Sequence, residues 1–144
     1  MFVRTKRTAA VAAAGAAALT LAVGLGTSAS AEPPKATVTP SSGLGDGGVV
    51  RVAATGLKAG NGYDVGQCAW VASGALACNM AVFTHVSAGA DGSLHTSVKV
   101  HKKFNGVSYG GARWGVIDCA VTQCLVGMGD ATGNGPAAVP ISFR

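Results

Sequence analysis

Four cysteines are the residues of this 144-residue chain whose chemistry is easiest to define. No two of them form a C-x-x-C pair, and the three histidines show no ligand spacing, so the sequence predicts no metal site. In an exported chain an even number of cysteines is typical of disulfides, and four cysteines allow three pairings. The local pairing is the simplest, because each pair brackets a short turn-like segment; it joins Cys68 to Cys78 and Cys119 to Cys124.

Catalytic serines and histidines are not indicated by the sequence. The G-x-S-x-G turn that exposes a nucleophilic serine is absent, and bridged cysteines have no free thiolate. His95 and His101 occupy positions typical of the exposed side of a strand, whereas His85 is ambiguous. The residues therefore favour a protein that is not an enzyme.

Carboxylates and glycine-rich segments indicate turns. Asp46, Asp91 and Asp130 lie in turn contexts, where an aspartate bonds the neighbouring backbone. Residues 43–48 formally fit G-x-G-x-x-G, but a dinucleotide-binding loop follows a strand and opens a helix. Since these glycines lead into a strand, we interpret the segment as a turn.

The first 31 residues have the pattern of a secretory signal peptide. Three basic residues at positions 4–7 precede an apolar stretch over residues 11–26, and Ala-Ser-Ala at 29–31 supplies the small residues of a cleavage site. An apolar stretch of roughly 16 residues is shorter than the ~20 that span a bilayer. The sequence predicts a signal peptide at residues 1–31 and a secreted domain at residues 32–144, without membrane association after cleavage.

The mature chain has a weak positive charge. Three of the 11 lysines and arginines lie in the leader, which leaves 8 basic against 6 acidic residues and a net charge of +2. The largest basic cluster, Lys102-Lys103, is too small for a nucleic-acid-binding surface. The remaining 113 residues suffice for one core, and nothing in the pattern requires more than a monomer.

Short β-prone runs separated by turn residues make up the mature chain. Glycine is dense, and each glycine inside a helix costs about 1 kcal/mol relative to alanine, so helices are not expected. Residues 93–100 alternate apolar and polar side chains, as in a half-buried strand. About eight or nine such runs predict an antiparallel sandwich or barrel, with Pro140 in an edge strand.

Aromatic residues are few, and their placement indicates a binding cleft. Trp70 and Phe83 flank the first cysteine loop, with Leu76 at its tip, while Tyr109 and Trp114 flank a glycine-rich turn. An apolar cleft with a few polar groups is the usual form of a small-molecule site. The alternative is that Trp70, Phe83 and Trp114 simply form the core of a small sandwich. Small residues that would leave volume near them are Gly66, Gly127 and Gly129.

Several sequence strings resemble the neocarzinostatin family, whose members are the apoproteins of enediyne antibiotics. The resemblance covers essentially all of residues 32–144 in one register and includes both cysteine pairs. The strings that carry it are ATVTPSSGL (36–44), YDVGQCAWV (63–71), LACN (76–79), RWG (113–115), DC (118–119), GNGP (133–136) and ISF (141–143).

The resemblance implies an immunoglobulin-like, seven-stranded antiparallel barrel with a two-stranded ribbon beside it and the two local disulfides. It also implies a function: a secreted carrier that holds a labile enediyne chromophore without a covalent bond, protects it and releases it near DNA. The released chromophore, not the protein, would cut DNA, with antibacterial and cytotoxic effect. Two alternatives stay open, namely a carrier of a different small apolar ligand and a weak peptidase.

Matched residue by residue, the resemblance assigns ten residues to the cleft. Trp70 is expected to form an apolar wall, with Leu76 and the first disulfide close to the enediyne core. Phe83 and Tyr109 are expected to contact the aromatic part of the ligand, since such ring pairs add about 0.5–1.5 kcal/mol beyond area burial. Trp114 is assigned to packing. The predicted ligand-binding residues are Gly66, Cys68, Trp70, Leu76, Cys78, Phe83, Tyr109, Leu125, Gly127 and Gly129.

Departures from the family pattern fall at the predicted cleft. Val107 and Tyr109 stand where the family pattern has two phenylalanines, Leu125 stands for a glutamine and Gly129 for a serine. The cleft is therefore expected to be more apolar, with a phenol at one rim. This difference predicts a chromophore whose appendage differs from the one that the family pattern implies.

Overall fold

The computed structural model describes residues 32–144 apart from the Ser73 side chain, so the predicted signal peptide lies outside the described residues. Two 3-10 turns, Ala72–Gly74 and Met80–Val82, flank a short strand, and no helix in this part of the chain is long and apolar enough to cross a membrane. The strands of this part are β1 (Lys35–Thr39), β2 (Gly48–Thr55), β3 (Gly62–Trp70), β4 (Leu76–Cys78), β5 (Thr84–Ser87), β6 (Leu94–Val100), β7 (Lys103–Ser108), β8 (Arg113–Asp118), β9 (Cys124–Gly129) and β10 (Val139–Ile141).

The strands form two antiparallel sheets, which confirms the predicted all-β class. One sheet has the order β1-β2-β6. The other has seven strands in the order β10-β9-β3-β4-β7-β8, with β5 paired to β3. The two disulfides have the local pairing, Cys68 with Cys78 and Cys119 with Cys124. Pro140 lies in β10, at the edge of the larger sheet, as the sequence predicts.

Two strands of the structure, β5 and β7, are not predicted from the sequence. Strand β5 has only four residues, too few for a clear alternation. In β7 the inward position between Phe104 and Ser108 is Gly106, so the apolar period is broken where it would be diagnostic. A Cβ at Gly106 would meet Ile117 at 2.8 Å and Ala77 at 3.0 Å, so the position requires glycine for packing rather than for a turn.

The main core lies between the two sheets. Strands β2 and β6 pair in register, with Val50 opposite Val98 and Val52 opposite Thr96. Their inward valines are almost completely buried, while the alternate side chains are mostly exposed. This period-two burial is the pattern that the sequence predicts for residues 93–100.

Strand β3 divides its side chains between the core and the opposite face. Tyr63, Val65 and Ala69 belong to the main core, and Gln67 between them is fully buried. The Gln67 amide donates to the His101 carbonyl at 2.6 Å and accepts from the His101 N–H at 2.9 Å. A buried amide with both partners made stabilises the fold, because neither side of the contact is left without a hydrogen bond.

Replacing Gln67 with methionine, which has a similar volume, is expected to lower the free energy of unfolding by about 2–4 kcal/mol. The reason is that the N–H and the carbonyl of His101 lose their hydrogen-bond partners. Urea denaturation measures the loss.

The matched control is Gln123→Met, since Gln123 is exposed and donates to the carbonyls of Cys124 and Ile141 near solvent. Its cost is expected to stay at about 1 kcal/mol or less, because water replaces the lost bonds. Equal losses for the two variants would contradict the role given to Gln67.

Candidate functional site

A cleft of about 300 Å³ opens on the face of the larger sheet that points away from the main core. Most of its lining is apolar, and it is formed by β3, β4 and β9, the rings next to them and the segment that follows β9. The lining residues are Asp64, Cys68, Trp70, Leu76, Cys78, Phe83, Tyr109, Leu125, Gly127, Met128, Gly129, Asp130, Gly133, Pro136 and Ala138. Nine of the ten residues predicted from the sequence are among them; Gly66 is not.

The register of β3 against β9 shapes the floor of the cleft. Asp64 pairs with Gly129 and Cys68 pairs with Leu125. Between them Gly66 pairs with Gly127, so the middle of the floor has no side chain from either strand. A Cβ at Gly127 would have only ordinary contacts, the nearest with Leu125 at 3.6 Å, so space is open above it.

Gly66 holds an aromatic ring instead of lining the cleft. A Cβ at this position would come within 2.5 Å of the Phe83 ring, so the ring occupies the space that a side chain would fill. Phe83 is half-buried there and forms part of the cleft wall. The resemblance assigns Gly66 to ligand contact, whereas in the structure Gly66 leaves room for the Phe83 ring.

The first disulfide forms a second, small apolar cluster under the cleft. Cys68 and Cys78 lie directly opposite each other on β3 and β4, with their Cα atoms 3.9 Å apart. Together with Leu125 they form a buried cluster separate from the main core, and Leu76 and Phe83 pack against it. All three residues of the cluster also line the cleft, so the small part of their surface that stays exposed faces it.

Two aromatic rings at the rim are unusually exposed. Trp70 is 54 % exposed and Tyr109 is 84 % exposed, yet both line the cleft. Trp114 lies outside the cleft on the edge strand β8, is 38 % exposed and belongs to neither buried cluster. The alternative that Trp70, Phe83 and Trp114 simply form the core is wrong, because both tryptophans are exposed and none of the three belongs to the main core.

Acidic groups line one end of the cleft. Asp64 is hydrogen-bonded to His85 at 2.9 Å, and the imidazole occupies the space above Gly62. Asp130 accepts from the Thr132 hydroxyl at 2.6 Å and from two backbone N–H groups. Among the residues that line the cleft there is no lysine or arginine, so its formal charge is negative, whereas residues 32–144 as a whole carry eight basic and six acidic side chains.

The segment after β9 supplies lining residues that are not among the ten predicted from the sequence. Asp130, Gly133, Pro136 and Ala138 reach the cleft because the segment turns back at Asp130, whose carboxylate accepts the N–H groups of Thr132 and Asn134. The turn itself was predicted at Asp130. Its place beside the cleft follows from the β3–β9 register, which the sequence alone does not define.

The arrangement suits retention of an apolar ligand. No described cysteine is free, and among the described residues no three His, Cys, Asp or Glu side chains are grouped as they would be to hold a metal ion. A concave apolar surface with aromatic rims and a few carboxylates is typical of a small-molecule site.

Comparisons with known proteins agree with this geometry. The neocarzinostatin family profile matches residues 36–143. Macromomycin of Streptomyces macromomyceticus is 43% identical over 111 residues, which cover 76% of each chain. The antitumor antibiotic C-1027 apoprotein of Streptomyces globisporus is 39% identical over 98 residues, or 68% of each chain. The solved structure of macromomycin superposes with a TM-score of 0.74 at 42% identity, and the match covers 78% of this chain and 100% of that one.

Gly66→Ala is expected to displace the Phe83 ring and to lower the free energy of unfolding by about 1–3 kcal/mol, because the new methyl overlaps the ring. Gly127→Ala on the paired strand is the matched control and is expected to change stability by less than about 0.5 kcal/mol. Chemical denaturation measures both. An unchanged Phe83 environment in the NMR spectrum of Gly66→Ala would contradict the assigned packing.

The pKa of Asp130 lies below its ordinary value, first because of the Thr132 hydroxyl and then because of the Asn134 N–H. A lowered folded-state pKa means that the stabilisation is present above the unfolded-state pKa and is lost as pH falls through the folded-state pKa. Asp130→Ala is therefore expected to destabilise the protein at neutral pH and progressively less in acid. Urea unfolding of both proteins across this range measures the difference.

Thr132→Val removes the largest of these hydrogen bonds without changing the side-chain shape. We expect the pKa of Asp130 to rise toward its ordinary value in this variant, as measured by an NMR titration of the carboxyl carbon. A pKa identical to that of the parent protein would contradict the assigned cause.

Proposed function

This chain belongs to the neocarzinostatin family, and we propose that it is a secreted carrier whose cleft holds a labile enediyne chromophore without a covalent bond. It protects the chromophore and releases it near DNA, and the released chromophore cuts the strands. The observation that supports this most strongly is the cleft itself, whose floor contains a separate, buried apolar cluster and whose rim carries two exposed aromatic rings.

Exposed rings at Trp70 and Tyr109 have a physical explanation if a ligand lies between them. Aromatic side chains contribute most when both faces leave water, and an exposed apolar patch on a small soluble protein commonly marks a binding surface. A ligand on the floor of the cleft would cover Cys68, Cys78 and Leu125 as a second layer of protein would. Retention then rests on apolar burial rather than on a reacting side chain.

Protection follows from the same geometry. The part of the ligand that faces the floor meets glycines, a disulfide and Leu125, none of which is a free nucleophile. Reactive atoms that point toward the floor are removed from water and from dissolved thiols, while the rim stays open for release.

DNA is reached through the ligand rather than through the protein. The eight basic residues of the mature chain are dispersed, and none lines the cleft. A protein that binds duplex DNA tightly needs several phosphate contacts from clustered lysines and arginines. Since one chain lines the whole cleft, we propose that the carrier acts as a monomer.

Secretion is part of the proposal. The N-terminal pattern at residues 1–31 is that of a signal peptide, and a disulfide-containing carrier fits an oxidising, extracellular environment. A relative described as an antitumor antibiotic apoprotein supports the role of an antibiotic carrier.

A second candidate function, a carrier for a different small apolar ligand, is favoured by one feature of the floor. Leu125 belongs to the small buried cluster with Cys68 and Cys78, and it makes this part of the cleft floor wholly apolar. A ligand without polar groups at this point would fit, whether or not it contains an enediyne.

Trp70→Ala is expected to reduce the amount of chromophore that co-purifies with the protein secreted by the producing strain by at least about tenfold, since a rim ring at a ligand contact contributes about 1.5–3 kcal/mol. Absorbance beyond the tryptophan and tyrosine bands measures the cargo. Mass spectrometry of a methanol extract identifies it, and a plasmid-nicking assay with added thiol shows whether it contains an enediyne.

Trp114→Ala is the matched control, because it removes the other tryptophan from an exposed position outside the cleft. Equal cargo in the Trp70 and Trp114 variants would contradict the site. A wild-type protein whose extract holds an apolar compound that does not nick DNA would favour the second candidate, and an empty extract would contradict both.

A further inference from the structure

A second cavity of about 400 Å³ lies between the 3-10 turn Met80–Val82 and strand β7. We call it the β7 crevice. It shares no lining residue with the cleft, although β7 is the neighbour of the cleft strand β4 in the sheet. Its polar lining is Asn79, His101, Lys103 and Asn105, and Met80 and Val107 contribute apolar surface.

Asn79 is the unusual member of this lining. Only 7 % of it is exposed, and its side-chain amide makes no hydrogen bond with any residue in the described part of the chain. No buried side-chain nitrogen or oxygen of the described residues is both sealed from solvent and unpartnered. The amide of Asn79 therefore keeps its contact with solvent through the crevice, where a ligand would meet it.

One buried residue fixes both walls of the β7 crevice. The backbone carbonyl of Gln67 accepts from the N–H of Asn79 at 2.8 Å, and the Gln67 side chain holds the backbone of His101 at 2.6 and 2.9 Å. The two walls consequently keep a fixed separation without a ligand. A site whose polar groups are held in place loses little conformational entropy on binding.

The charges of the lining select an anion. Lys103 carries the one permanent charge among the residues that line the β7 crevice, and no carboxylate is among them. Its ammonium lies 3.5 Å from the half-buried carboxylate of Asp118, a loose contact of an exposed lysine that a closer anion replaces at little cost. Beside it, the amides of Asn79 and Asn105 offer N–H donors.

We propose that the β7 crevice binds small organic carboxylates. The carboxylate accepts from the amide of Asn79 and from the ammonium of Lys103, and its apolar tail packs on Met80, which is 55 % exposed, and on Val107. The proposal is independent of the carrier function, because it uses none of the residues of the cleft.

The test is an NMR titration of the full mature protein with hexanoate, followed at the side-chain amide resonances of Asn79 and at the indole resonance of Trp70. Saturable shifts at Asn79 without shifts at Trp70 are expected. Hexylamine, which has the same tail and the opposite charge, is expected to leave Asn79 unchanged, and hexanamide is expected to bind at least about fivefold more weakly than hexanoate.

Lys103→Gln tests the charge without disturbing the fold, since the side chain is largely exposed. We expect about a fivefold loss of hexanoate affinity, whereas Lys99→Gln on the exposed side of β6 is expected to have no effect. Asn79→Leu, used with a measured unfolding midpoint, should abolish binding. Equal binding of hexanoate and hexanamide, no shift at Asn79, or unchanged affinity in Lys103→Gln would overturn the proposal.

Discussion

The rest of the structure depends on one constraint, which is that strand β3 packs side chains on both of its faces. One set of alternate side chains, including Val65 and Gln67, faces the main core, and the other set, including Cys68, faces the cleft. Because side chains alternate with period two, a slip of β3 by one residue within the larger sheet would exchange these sets. Cys68 would then leave Cys78, and Gln67 would leave His101. The disulfide and the buried amide therefore fix the same register from opposite sides of the sheet.

The cleft follows from this register because the chain leaves the outer face of β3 incompletely covered. The main core has a second sheet above it, whereas the cluster of Cys68, Cys78 and Leu125 has only isolated rings and a turn. At the middle of the floor, Gly66 accepts the Phe83 ring and Gly127 stays open. A bound apolar ligand would cover the apolar surface that the floor and the rim rings still expose, so its retention would rest on the burial of apolar area, as core packing does.

Much of the fold could be predicted from the sequence, because burial on one side of a strand leaves a visible alternation. That signal is clear in β6 and fails in β7, where Gly106 replaces an inward apolar residue. For the site, nine of the ten residues that the resemblance assigns line one cleft in the structure. The resemblance does not reveal that Gly66 leaves room for the Phe83 ring. Asp64 and Asp130 were missed because their proximity arises from pairing between distant strands and from a turn held by a carboxylate.

The separation of the two apolar clusters also explains how the site tolerates change. Stability of the domain rests mainly on the cluster between the sheets and on the hydrogen bonds of Gln67, none of which faces the cleft. Substitutions on the outer face, such as the leucine at position 125 and the glycine at 129, alter the shape and polarity of the floor while the strands keep their partners. The shape of the cleft floor can therefore change at constant fold, because Leu125 and Gly129 line the cleft from β9, whereas the hydrogen bonds of Gln67 lie on the opposite face of the sheet.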